Sequence, residues 1–166
     1  KMMSYNSLSN LNLIYLKYAN SFEKDTRYLE SYRYHTLDNK LLGFNKKANI
    51  IFLDIYNLLV MSSSDGHSLA PNNRQFYWNS IQNFFEPISY DGNFDIFKSP
   101  NLLIKPTSNY FLESISTLDE VLNNLNIKNL NTKLNQNGIL EDIDITKKKI
   151  EKLKKNLEEV KIKYLS

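Results

Sequence analysis

The chain of 166 residues has no cysteine, two histidines (His35 and His67), four glycines, four prolines, three arginines and three alanines. Each scarcity closes off a class of function. Without cysteine there is no disulfide scaffold, thiolate zinc site, iron–sulfur ligation or cysteine nucleophile. Two histidines cannot make a histidine-rich metal site. So few glycines leave no phosphate loop and no dinucleotide fingerprint, and no zinc motif occurs. No run approaches the roughly 18–20 apolar residues of a membrane-spanning helix. The chain opens on Lys1, and residues 1–10 contain no apolar signal core.

What is present suffices for a core. Hydrophobic residues make up 42% of the chain, with 11 tyrosines, nine phenylalanines and Trp78. A chain of this length predicts one domain with at most an appendage. Lysine (18) and asparagine (23) are heavily used. That bias fits an AT-rich genome, so single asparagines are not read as designed caps. The net charge of +3 is unevenly spread. Residues 147–166 hold eight lysines and three glutamates, the rest 13 basic and 15 acidic residues. A near-neutral body is not a nucleic-acid-binding body by electrostatics.

Hydrophobic spacing predicts an all-α or mainly α fold: a bundle of four to six helices ending in a coiled-coil helix or helical hairpin. Leu8, Leu11, Ile14, Tyr15, Tyr18 and Phe22 recur at helical steps, and 24–35 continues helically. Residues 45–60 are the most apolar, with Ala48, Ile51, Phe52, Ile55, Leu58 and Leu59 on one face. Ile50, Leu53 and Val60 lie on its flanks, and Asp54 and Asn57 mark a polar stripe. Phe52 and Ile55 are thus expected mid-core. Residues 61–75 read as a solvated, mobile loop. A short aromatic helix is expected across 76–85, with a small β-hairpin at 88–97 turning on Asp91-Gly92-Asn93. An extended connector spans 87–111. Thr117 and Glu120 have capping-box spacing, so a helix is expected to start there. Leu118, Val121, Leu122 and Leu125 form its apolar face, and Asn135-Gln136-Asn137-Gly138 breaks the pattern.

The reading therefore divides the chain into a helical body, 1–138, and an arm, 139–166. In the arm, Ile143, Ile150, Leu157 and Tyr164 take heptad position a. Ile139, Thr146, Leu153 and Val160 take position d. Lys147, Lys154 and Lys161 fall at e, and Asp142, Lys149, Asn156 and Lys163 at g. Paired lysines at facing positions disfavour a parallel homodimer. The seam needs a partner helix with acidic flanks, in another subunit or folded back within this chain; the preceding helix supplies only Asp119 and Glu120, so a different protein is the expected partner.

Candidate chemistry is sparse. Ser62-Ser63-Ser64-Asp65-Gly66-His67-Ser68 gathers serine, aspartate and histidine, but neighbours in one loop do not converge as a catalytic triad must. Asp91-Gly92-Asn93-Phe94-Asp95 opens like a calcium loop, yet the glycine and glutamate that such a loop requires are Ile96 and Leu102 here. Glu141, Asp142 and Asp144 suit a helix N-terminus. Tyr5, Tyr34, Tyr77 and Trp78 sit off the apolar stripes, so 76–85 offers either a partner surface or a second core layer. No catalytic, cofactor or metal residue is assigned. The expectation is a non-enzymatic protein–protein interaction: a structural or accessory subunit docking through Ile143, Ile150, Leu153, Leu157, Val160 and Tyr164, flanked by Lys147, Lys149, Lys154 and Lys161. The alternatives are a secreted helical effector or toxin acting on a host protein or membrane, and a nucleic-acid-associated subunit using the lysine-rich tail.

Overall fold

A computed structural model describes residues 5, 7–14, 16, 42–69, 73–90, 92–102 and 108–165. The expectations for Tyr18, Phe22, 24–35, Tyr34 and Asp91 lie outside them. Among the described residues the fold is mainly helical with one small antiparallel hairpin. Helix α1 covers 7–14; α2, Lys47–Ser62; α3, Phe111–Asn123; α4, Ile127–Gln136; and α5, Ile143–Leu165. Strands β1 (Gln75–Asn79) and β2 (Phe84–Ile88) pair from Gln75 opposite Ile88 to Asn79 opposite Phe84.

Helix α2 is the spine. It ends in a Schellman turn: the Asp65 amide donates to the Val60 carbonyl at 3.1 Å and the Ser64 amide to that of Met61 at 3.0 Å. Ser64 takes the left-handed position, φ 61°, that glycine usually holds there. The buried residues of α2 are Leu53, Leu58, Val60, Met61 and Ser62. Phe52, expected mid-core, is 45% exposed, while its flanking neighbours Leu53 and Val60 are interior. The buried side turns along the helix because α2 serves two apolar clusters. Its first half meets Ile14, Leu42, Phe44, Phe84 and Phe85 through Leu53. Its second half packs with Leu69, with Phe111, Ile115, Leu118 and Leu122 of α3, and with Leu153, Leu157 and Val160 of α5.

The hairpin lies at 75–88 and not at 88–97, and it replaces the expected aromatic helix. Phe76, Tyr77, Phe84 and Phe85 mimic helical spacing, but aromatic residues suit strands equally well. The turn between them settles the choice. Asn79 Oδ1 accepts from the Ile81 and Gln82 amides at 3.1 and 2.9 Å, and Asn83 adopts a left-handed φ of 59°. Phe85 lies 4.8 Å from the Trp78 ring centre and donates its amide to the Leu42 carbonyl at 2.8 Å. Gly43 sits directly against β2: a Cβ there would lie 2.6 Å from that of Phe84. Helix α3 begins at Phe111, six residues before Thr117, because Phe111 and Ser114 already lie on its buried side. Val121, expected on that side, is exposed.

The serine-rich segment after α2 is folded in and not a solvated loop. Its polarity suggested a solvated loop, yet Ser62, Ser63, Asp65, Ser68 and Leu69 are buried. Asp65 Oδ1 accepts from the amides of His67 and Ser68 at 3.1 and 3.2 Å, folding the chain inward. The segment 92–102 then straps across it, with the Asp95 amide on the Ser63 carbonyl and the Asn101 amide on that of Met61. Asn156 of α5 clamps the layers together. Its Nδ2 faces the carbonyls of Ser62, Lys98 and Ile96 at 2.7, 2.9 and 3.1 Å, and the residue is fully buried. The terminal helix is therefore folded back on the body and does not project as a free arm.

Candidate protein interface

Helix α5 starts at Ile143 behind a carboxylate cap: Asp142 Oδ1 accepts from the Asp144 amide at 2.7 Å. Glu141 turns inward, accepting from the Thr146 hydroxyl at 3.1 Å and pairing with Lys149. The hydrogen bond from Lys149 holds the Glu141 carboxyl below the usual carboxylate range. Asn131 of α4 joins this web through the Thr146 hydroxyl (2.9 Å) and the Glu141 carbonyl (2.8 Å). The α4–α5 corner is thus a fixed scaffold.

The ten residues singled out from the heptad divide into two groups. Leu153, Leu157 and Val160 are buried in the cluster with α2 and α3. Ile150 is half-buried, and so is Tyr164, whose hydroxyl donates to the Leu102 carbonyl at 2.8 Å. Lys161 pairs with Asp119 of α3 and with Glu158. From Thr146 onward the seam is therefore covered from within the chain and not by the separate protein expected, with one acidic flank supplied by Asp119. Ile143 and Lys147 remain outside, Lys147 4.0 Å from Glu151, and Lys154 is half-buried without an acidic partner among the described residues.

The heptad pattern contains only part of the surface that stays free: Ile139 and Ile143 belong to it, Leu140 and Ile145 do not. Ile139, Leu140, Ile143 and Ile145 are all exposed within seven residues at the α4–α5 corner, Leu140 at 87%. From Ile145 a second stripe runs down α5 through Lys148, Lys152, Lys155 and Glu159 to Ile162, with Lys152 and Glu159 half-buried and the others exposed. These positions share the face opposite Thr146, Leu153, Leu157 and Val160. Lys148, Lys152 and Lys155 form no ion pair among the described residues. The signal was available in the sequence as a lysine stripe closed at both ends by isoleucine.

Of the other candidates, Phe84 and Phe85 belong to the core layer, while Tyr77 and Ile81 are exposed. Asp65 spends one oxygen on backbone amides, and the exposed His67 ring lies 3.0 Å from Asn73 Nδ2. No group of three or more histidine, aspartate or glutamate side chains among the described residues could hold a metal ion. No described helix is long and apolar enough to cross a membrane. No family model, curated protein or solved structure matches the chain.

Proposed function

We propose that this protein is a non-enzymatic binding subunit of a larger assembly, holding an acidic amphipathic helix of another protein along the outside of α5. One observation carries the reading: Lys148, Lys152 and Lys155 stand in line without acidic partners, beside the exposed apolar corner of Ile139, Leu140, Ile143 and Ile145. The corner supplies apolar area for anchoring, and the lysines supply register and a faster encounter. A phosphate backbone would be matched better by arginine forks, and α5 contains no arginine.

The test uses the full chain and a labelled helical peptide with leucine in its seam and glutamate on its flanks, read by fluorescence anisotropy. Binding should weaken with salt. It should fall by at least about tenfold, or 1.4 kcal/mol, when Leu140→Asp removes the apolar anchor. Replacing Lys148, Lys152 and Lys155 by glutamate should abolish it. Equal affinity for a lysine-flanked peptide, or indifference to these changes, would refute the reading.

A further inference from the structure

Arg74 lies between the end of the 62–69 segment and the start of β1, and belongs neither to α5 nor to the 139–145 corner that carry the proposed interface. The residue is half-buried, and its guanidinium is held along one edge. Nε donates to the Leu69 carbonyl at 2.9 Å, and Nη2 donates to Asn57 Oδ1 at 3.1 Å. Both acceptors are neutral. Among the described residues no carboxylate forms an ion pair with it and no further hydrogen bond is made to it. Both Nη1 hydrogens and one on Nη2 are therefore unspent, and Nη1 is not among the sealed polar atoms.

An arginine in this position is unusual on energetic grounds. A half-buried cation loses hydration, and proteins normally compensate with an acidic partner. Burial pushes the Arg74 guanidinium down to about 10, opposed only by Tyr56. Tyr56 stands beside it with its hydroxyl 3.3 Å from the Ile88 carbonyl. The Leu69 and Asn57 bonds fix the plane of the group, so the unspent hydrogens point in set directions. A fixed guanidinium fork is matched to the paired oxygens of a carboxylate or phosphate, and pre-orientation lowers the entropic cost of binding.

We infer that Arg74 is the receptor of an oxyanion site, walled by Tyr56, Asn57 and Leu69, which takes a carboxylate or phosphate group of a ligand end-on through Nη1 and Nη2. This inference is independent of the α5 interface.

The experiment titrates the full chain with inorganic phosphate in one arm and succinate in the other, at constant ionic strength set with chloride. The Nε–H resonance of Arg74 is followed by NMR and the melting temperature in parallel. A saturable shift of that resonance with one anion and not with chloride supports the site, and the responding arm names the oxyanion. Arg74→Lys should keep a weaker response in melting temperature, and Arg74→Gln should lose it. If Arg74→Gln fails to fold, the wild-type resonance still decides. Absence of any saturable shift in both arms, or an equal melting response in Arg74→Gln, would overturn the assignment.

Discussion

Two polar side chains, Asn156 buried and Asp54 half-buried, show how single residues shape this protein. Asn156 meets three carbonyl groups with its amide nitrogen. Asn156→Ala leaves those carbonyls unmet and should cost roughly 2–4 kcal/mol in denaturant unfolding. Asn156→Asp should be worse near neutral pH, because a carboxylate only accepts and would face three acceptors. Its deficit should shrink in acid, where protonation restores one donor. Asp54 is the second case. The Ser114 hydroxyl has one proton and two acceptors, Asp54 Oδ2 at 3.1 Å and the Tyr110 carbonyl at 2.9 Å. Burial pushes the Asp54 carboxyl above its ordinary 3.8, against weaker opposition from hydrogen bonds with Ser108 and Ser114. A carboxyl raised on folding costs stability while ionised, and that cost disappears as pH falls below the unfolded value. Asp54→Asn should therefore stabilise the protein at neutral pH, by a margin that closes as pH drops through the acid range. An equal margin at all pH values would contradict this account.

At the scale of elements, α2 gives the sharpest contrast. Leu58→Ala removes a fully buried side chain and should cost about 2–5 kcal/mol. Phe52→Ala removes an exposed ring whose edge-on contact with Phe84, at 6.4 Å between centres, is worth about 0.5–1.5 kcal/mol. Chemical unfolding of the two variants should rank them in that order. The sequence placed α2 and α5 well because both have sustained helical spacing, and Gly138, at φ 84°, ends the α4 region where composition said it would. It misjudged which side of α2 is interior, since periodicity reports that a face exists but not that two partners divide it. The hairpin lies at 75–88 and not at 88–97 for a different reason. Its pairing depends on the Asn79 and Asn83 turn, and in a chain with 23 asparagines that signal does not stand out. The buried 62–69 segment was illegible because the strap that covers it comes from residues about thirty positions later. The residues on the outside of α5 are legible one by one, but spacing does not mark them as a surface, because only the packing of Leu153, Leu157 and Val160 against α2 and α3 decides which side of the helix is left outside.

For the whole molecule, the question is whether the two apolar clusters unfold together. Trp78 is the single tryptophan and packs on the cluster of Phe44, Phe84 and Phe85, so its fluorescence reports that cluster alone. Far-UV circular dichroism is dominated by the helices, most of which meet in the other cluster. Because α2 runs through both, the two signals should give one coincident transition. Phe84→Ala belongs only to the fluorescent cluster, yet it should lower the dichroism midpoint as well. Separate midpoints would mean that α2 frays between its halves.

Asn156 reaches carbonyls 94, 60 and 58 residues earlier in the chain, and this has a consequence during synthesis. At a ribosomal rate of 5–20 residues per second, the α2 terminus waits roughly 5–20 s for the side chain that closes it. Throughout that interval Leu58, Val60 and Met61 have no α5 to cover them. The nascent chain therefore presents an open apolar trough for seconds, and chaperone demand should follow the speed of translation between α2 and α5.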